Sequence, residues 1–461
     1  MSNTLFNKTT IVAVATSKLP AGVGVIRLSG PKAIATTEAI APSFKNAKNR
    51  FMHYCELVHE GEVLDKVMAV KFPAPHSFTG EEVVEIHCHG SHAVLNKVMD
   101  VLISFTDVVP AERGEFSKRA FLNGKMDLTE AEGLNDLIHA ETEQQRKQAL
   151  KQLDGALGVK FEDWRSKIMF VLAHVEASLD FPDEELEIME QANLREKLEA
   201  LINEFDKAIS QKAGQRLREG FSIAIIGKPN AGKSTLTNLL TGKQTAIVSD
   251  IAGTTRDVVQ AHLDIAGFPV VLQDTAGIRQ TDDVIEAEGV KRSYKSAEMA
   301  DLLLLVVDSS EIDNIDEDLL KQLQPEKSII LSSKADLHAN KVNDSIEYNG
   351  ATYKIIDVNL TEDESLDKIF PEVEGMLKDL FKDTQDGAFL TQKRHTNAVI
   401  EAKGYLVNAL ALYNNPDAAL SLADLLAQDL RDCAAKIGEI TGKTDVESLL
   451  DLVFSEFCIG K

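Results

Sequence analysis

Gly227 to Ser234 reads GKPNAGKS, a match to the phosphate-loop pattern G-x-x-x-x-G-K-[ST], and no other feature of the 461-residue chain restricts its fold as much. Such a loop works only between a buried strand and the start of a helix. Here it follows the apolar stretch Ser222 to Ile226 and precedes the helical TLTNLL. Glycines let backbone N–H groups wrap a polyphosphate, Lys233 reaches the β- and γ-oxygens, and Ser234 is placed to ligand Mg²⁺. Further apolar runs, VVLQDTAG, DLLLLVVD and SIILSSKAD, alternate with helical stretches, as parallel strands buried on both faces require. A nucleotide-binding α/β unit over residues 218–382 follows.

The flanking sequence has a different texture. Residues 1–120 mix β-branched runs (TIVAVAT, GVGVIRLSG, VMAVKFPAP, VVEIHCHG) with Gly/Pro turns and helical stretches near 31–40 and 91–105, which predicts a small α/β domain. Residues 121–217 carry long apolar-periodic segments rich in Ala, Leu, Glu, Gln and Lys, broken at Phe181-Pro182-Asp183, where proline disfavours helix in the residue before it. Past DTQDGAF, residues 383–461 repeat that helical composition. Two helical blocks around one compact unit predict a helical domain with the nucleotide unit inserted.

Charge restricts the partners. With 49 Lys+Arg against 73 Asp+Glu the net charge is −24, and its field repels a polyanion, which argues against free-standing nucleic-acid binding. Nucleic acid delivered by a basic partner stays open. The acidity is uneven: residues 1–124 hold 13 basic and 12 acidic side chains, and the remainder hold 36 and 61. Four scattered cysteines fit a reducing compartment, so a cytoplasmic protein is expected. The N-terminus does not read as a signal peptide, and nowhere do about 18 apolar residues run together, so no membrane association is expected.

Two short motifs extend the nucleotide site beyond Asn230, Ala231, Gly232, Lys233, Ser234 and Thr235 of the loop and its helix. DTAG ends the next apolar strand, which sets the Asp274 carboxylate toward the metal, with Thr275 and Ala276 leading to Gly277, whose N–H can meet the γ-phosphate. SKAD comprises Ser333, Lys334, Ala335 and Asp336. Asp336 can accept two hydrogen bonds from the N1–H and 2-amino group of guanine, which adenine does not offer, while the Lys334 stem covers the base plane. Ser333 stands where the usual guanine motif has Asn.

GKPNAGKS, SDIAGTTRD (Ser249 to Asp257), DTAG and SKAD occur in the order and spacing of translation-factor-like GTPases. Together with PAGVGVIRLSG, SFTGEEVVEIHCHG, GEFSKRAFLNGKMDLTEAE, DFPDEE and the terminal FCIGK, they make the chain resemble the MnmE (TrmE) family of tRNA modification GTPases over essentially its full length. The resemblance implies an N-terminal α/β folate-binding and dimerisation domain, a helical domain and an inserted Ras-like G domain. It adds Ser249, Asp250, Ile251, Ala252, Gly253, Thr254 and Thr255 to the GTP contacts, with Thr255 as a second Mg²⁺ ligand. It implies a K⁺ ion in place of an arginine finger, held by Asn230, Ser249, Ile251 and Thr254. Read alone, Asn230 is equally a turn former.

Ile278 follows DTAG and has no group to orient water. The resemblance assigns that role to Glu286, which by itself reads as a solvated glutamate among Asp282, Asp283 and Glu288. It likewise assigns a tetrahydrofolate derivative, in the 5-formyl or 5,10-methylene form, to Arg27, Glu85, Lys125 and Lys461. Each of these alone reads as a surface charge, although a carboxylate can pair the donors of a pterin and cations can meet a glutamyl tail. Cys458 is implicated in the modification chemistry by resemblance and is otherwise an ordinary terminal residue. Gly460 and Lys461 behind it do not suit prenylation. His87 and His89 share a strand face while Cys88 points away, so with His92 they do not converge on a metal.

The resemblance thus implies a homodimeric GTPase that works with an FAD-containing, MnmG-like partner in a heterotetramer or larger complex. It would install an aminomethyl or carboxymethylaminomethyl group on carbon 5 of the wobble uridine of certain tRNAs, meeting tRNA through the complex. The rival reading is a regulatory GTPase of ribosome assembly without base chemistry. A basic RNA-binding appendage would favour it, and none is visible in the sequence.

Overall fold

The structure, a computed structural model, describes residues 9–180, 193–242, 246–247, 260–273, 294–336, 344–382, 389–414, 421–444 and 447–460. The expected helix break at Phe181-Pro182-Asp183 lies outside these residues. The chain divides into two compact units, one of Met1–Asn135, Leu153–Leu172 and Leu430–Lys461, the other of Asp136–Gln152 and Ala173–Asp429.

In the first unit β1 (Thr10–Val14), β2 (Ala21–Ser29), β3 (His53–His59), β4 (Glu62–Phe72), β5 (Val83–Gly90) and β6 (Val108–Pro110) form one sheet in the order β3-β4-β5-β2-β1-β6. All neighbours run antiparallel except β1 and β6. Period-two alternation sends Ile26, Leu28, Val84, Ile86 and Cys88 into a core with Leu95, Val98 and Leu102 of helix His92–Ile103. Ser91 caps that helix by accepting the Val94 N–H at 3.2 Å. Alternate residues Arg27, Glu85 and His87 lie on the other face. A smaller core joins Leu128 and Ala131 to Phe454 and Phe457 near the C-terminus.

In the second unit β7 (Phe221–Ile226), β8 (Ala246–Ile247), β9 (Gln260–Ile265), β10 (Phe268–Gln273), β11 (Leu302–Asp308), β12 (Ser328–Ser333), β13 (Ser345–Tyr348) and β14 (Ala351–Val358) form a sheet in the order β13-β14-β12-β11-β7-β10-β9-β8. The five central strands are parallel. Ile223, Ile225, Leu304 and Val306 face helix Glu364–Lys382, and Ala224, Ile226, Leu303 and Leu305 fill the opposite core. Burial on both faces explains why these strands read as unbroken apolar runs.

Edge strands β8 and β13, and β9 next to β8, pair antiparallel with their neighbours, a feature the run pattern did not predict. The β9–β10 hairpin turns at Ala266 and Gly267, both with positive φ, as a two-residue hairpin needs. Helix Leu194–Ser210 of the first helical block packs on Lys393–Tyr413 of the second, with Lys403 Nζ 2.5 Å from Asp206 Oδ1. In the first unit Lys443 Nζ meets Glu162 Oε2 at 2.6 Å. Within the second unit, helices that precede and follow the phosphate-loop sheet in sequence therefore pack together. Among the described residues no helix is long and apolar enough to cross a membrane.

Candidate functional site

The phosphate loop leaves central strand β7 and enters helix Lys233–Gly242. Its backbone excludes side chains at the turn. Gly227 has φ +150, and a Cβ there would stand 2.1 Å from the Val306 carbonyl oxygen. Asn230 takes the left-handed conformation at φ +60, and Gly232 follows at +104. Lys233 Nζ donates to the carbonyls of Gly227 at 2.8 Å and Lys228 at 2.7 Å, so the loop closes around its own cation. Asn230, Ser234 and Thr235 are exposed at the mouth, where an oxygen-ligated cation can reach the Ser234 hydroxyl and the Asn230 amide.

Beside the loop a cavity of ≈ 280 Å³ is lined by Lys228, Pro229, Asn230, Asp308, Glu311 and Lys334, among others. Lys334 has positive φ and its ammonium lies 2.8 Å from Asp308 Oδ2. Hydrogen bonds from Lys334 and then Ser310 hold the Asp308 carboxyl down to about 2 from its ordinary 3.8. Lys228 pairs with Glu311 at 2.8 Å. Ser333 is fully buried, Lys334 and Ala335 are half-buried, and Asp336 is exposed. The structure thus brings GKPNAGKS and SKAD to the same edge of the sheet. Ser249, Asp250, Ile251, Ala252, Gly253, Thr254, Thr255, Asp274, Thr275, Ala276, Gly277 and Glu286 lie outside the described residues.

The N-terminal domain holds a second constellation. Arg27 and Glu85 are direct partners across β2 and β5, with Arg27 Nη2 2.8 Å and Nε 3.0 Å from Glu85 Oε1. The guanidinium is also 5.7 Å from the ring centres of Phe78 and Phe116. Its Nη1 donates to the Gly460 carbonyl at 3.4 Å. Glu85 Oε2 stands 3.8 Å from His87 Nε2, a buried atom without a hydrogen-bond partner among the described residues. Glu85, partly exposed beside this buried nitrogen, is the group that can accept from a ligand with adjacent donors, which suits the edge of a pterin.

Lys125 Nζ donates to the Pro75 carbonyl at 3.0 Å, and its stem lies beside Gly80, on the loop that carries Phe78. Lys461 lies outside the described residues. The C-terminal segment nevertheless arrives here: Ile459 bridges Arg113, Gly114 N–H donates to the Cys458 carbonyl at 3.3 Å, and Gly460 packs against Val14. Cys458 is exposed.

Phe78, Phe116 and Gly460 were not singled out from sequence, although SFTGEE and GEFSKRAF were the motifs that contain the two aromatic residues. Beneath them Arg119, 1% exposed, bonds Glu115, Glu81 and the Thr9 carbonyl, and Glu81 also accepts from Ser29. This buried network joins the Phe78 loop to the Phe116 helix. Cys88 faces the core, where burial pushes its thiol up to about 12, and His89 pairs with Asp65 instead. Among the described residues no His, Cys, Asp or Glu cluster gathers for a metal.

Comparison with known proteins covers both constellations. Residues 10–125 match the family described as GTP-binding protein TrmE N-terminus, and residues 128–458 match the MnmE helical domain, a span that brackets the phosphate-loop sheet. The chain is 41% identical over 465 residues to a protein of Rhodospirillum rubrum named tRNA modification GTPase MnmE, covering 98% of this chain and 99% of that one. It is 41% identical over 458 residues to the protein of the same name from Rickettsia rickettsii, covering 98% and 100%. Among solved structures the G domain of the T. maritima FeoB iron transporter is similar at 25% identity, over 35% of this chain and 98% of that one, with a TM-score of 0.25.

Proposed function

Because the chain belongs to the MnmE family of tRNA modification GTPases, we propose that it hydrolyses GTP to drive modification of carbon 5 of the wobble uridine in certain tRNAs. The observation that carries the proposal is the phosphate loop on β7, closed around Lys233 and tied to SKAD, in a chain that matches the family over nearly its full length. GTP would lie along the loop, with Asp336 on the guanine edge and Mg²⁺ on Ser234 and Thr255. K⁺ would sit at Asn230, Ser249, Ile251 and Thr254, and Glu286 would position water because Ile278 cannot.

Arg27, Glu85, Lys125 and Lys461 would bind a tetrahydrofolate derivative, whose chemistry when bound is to supply a one-carbon unit. Cys458, exposed on the segment that reaches Arg27, would serve the same chemistry. A homodimer acting with an FAD-containing, MnmG-like partner in the cytoplasm completes the reading. The partner would also answer the charge problem, since a chain of net charge −24 needs positive surface from elsewhere to hold tRNA.

Nucleoside analysis of tRNA from cells lacking this protein is the test. Loss of a modified wobble uridine is expected; intact modification with abnormal ribosomal particles would favour a role in ribosome assembly. On purified protein, hydrolysis should slow markedly when NaCl replaces KCl, and Glu286→Ala should abolish turnover while GTP affinity holds. Equal rates in the two salts remove the ion from the mechanism, and normal turnover of the variant removes the glutamate.

A further inference from the structure

Residues 39–55 carry three cations, Lys45, Lys48 and Arg50, and no acidic side chain, in a chain whose net charge is −24. The same stretch leaves large apolar side chains in solvent as it enters edge strand β3: Phe51 is 65% exposed and Tyr54 59%, with Met52, also exposed, between them. Tyr54 stands opposite Met68 of β4, which is exposed too, so the patch continues across the strand pair. Single exposed apolar residues are ordinary, whereas a contiguous group rimmed by charge marks a surface that meets a partner. The cations are available to it. Lys45 and Lys48 are exposed with no ion-pair partner among the described residues, and the nearest acidic residues in sequence, Glu38 and Glu56, are paired with Lys71 and Lys66. Arg50 is exposed but fixed, its guanidinium 5.9 Å from the Phe72 ring centre and donating to the His76 carbonyl.

We infer that this patch holds the unpaired bases of an RNA loop, with the aromatic rings stacked on bases and the cations on phosphates. The inference rests on the reading that the protein acts on a wobble uridine, a base of the single-stranded anticodon loop. Unpaired bases offer their faces to Phe and Tyr while a paired stem hides them, so rings flanked by cations select loop over stem. A second copy of this chain is a poorer occupant. A twofold interface sets a patch against itself, which would gather the cations of both copies with no acidic group between them. The acidity elsewhere in the chain does not forbid the contact, because at about 0.1 M salt charges beyond about 10 Å are largely screened and residues 1–124 are near neutral. Three cations grip a loop and not a whole tRNA, which leaves the stems to the basic partner.

The test is fluorescence titration of the full-length protein, at about 0.1 M salt, with a hairpin RNA carrying an anticodon-sized loop and with its stem alone as a blunt duplex. The hairpin should bind more tightly than the duplex. Phe51→Leu and Tyr54→Leu, which keep apolar surface and remove the ring, should each weaken the hairpin about tenfold, while Phe51→Trp should bind it at least as well as the parent. Lys45→Gln together with Lys48→Gln should flatten the slope of log affinity against log salt by about 1.4. Equal binding of hairpin and duplex, binding of neither, or leucine variants that bind the hairpin as the parent does overturns the inference. So does a leucine variant that keeps the hairpin but loses mass in sedimentation, which makes the patch a contact between copies, or loses only phosphatidylserine vesicles, which makes it a lipid surface. Intact wobble modification in cells lacking the protein would instead overturn the tRNA reading beneath it.

Discussion

Arg27 is held from four sides, by Glu85 across the strands, by Phe78 and Phe116 about its guanidinium, and by the Gly460 carbonyl. A cation fixed in this way loses little freedom when it meets an anionic or carbonyl-bearing ligand, which is what makes it a good recognition element. Arg27→Ala should therefore weaken binding of formyl-tetrahydrofolate by at least about tenfold, measured by calorimetry. Equal heats from both proteins would remove Arg27 from that site. The family motifs in the sequence point to Arg27 and Glu85 because they sit in PAGVGVIRLSG and SFTGEEVVEIHCHG. The aromatic pair escaped notice because Phe78 and Phe116 come from a loop and a helix far apart in sequence, and only the folded sheet shows that they share one guanidinium.

At the level of elements, β11 and β12 bring the Asp308–Lys334 pair beside the phosphate loop, since Asp308 ends the one and Lys334 follows the other. They are parallel neighbours in register, Asp308 opposite Ser333, which puts the ammonium of Lys334 within reach of the carboxylate. Asp308 titrates lower in the folded chain than its ordinary 3.8, so the pair stabilises the fold above about pH 4, and that stabilisation is lost as pH falls toward 2. Urea titrations should show Asp308→Asn less stable than the parent at pH 7, with the gap narrowing as pH falls below about 4 and closing only below about pH 2. A gap that stays constant with pH would deny the pair this role.

These strands were legible because burial on both faces leaves no polar alternation to confuse them. The edge strands were not. HYCELVH of β3 and SIEY of β13 mix exposed and covered positions, and QAHLDI of β9, one strand in from the edge, alternates Gln260, His262 and Asp264 with Ala261, Leu263 and Ile265, so none shows the continuous signal. Ser333 was legible as a departure from the guanine motif but not as a tether, since nothing in a linear pattern reveals that the Ala231 carbonyl lies 2.6 Å from its hydroxyl.

For the molecule as a whole, the insertion is the organising fact. The helical blocks on either side of the phosphate-loop sheet pack on one another, Leu194–Ser210 against Lys393–Tyr413, so the sheet is held at both ends of its own sequence. Composition change at the boundaries made this arrangement readable, whereas the closing of the C-terminal segment onto the N-terminal domain was signalled only by the resemblance that grouped Lys461 with Arg27 and Glu85. The uneven charge belongs to this scale too: the near-neutral first 124 residues contain Arg27 and Glu85 of the proposed folate site, and the acidity lies in the helical and nucleotide-binding parts. The proposed function requires the phosphate loop to power tRNA modification. The most direct measurement is the amount of modified wobble uridine in cells whose only copy of this protein carries Lys233→Ala, with its expression and folding verified. Modification is expected at the level found in cells with no copy at all, and modification at the level of the unsubstituted protein would overturn the proposed function.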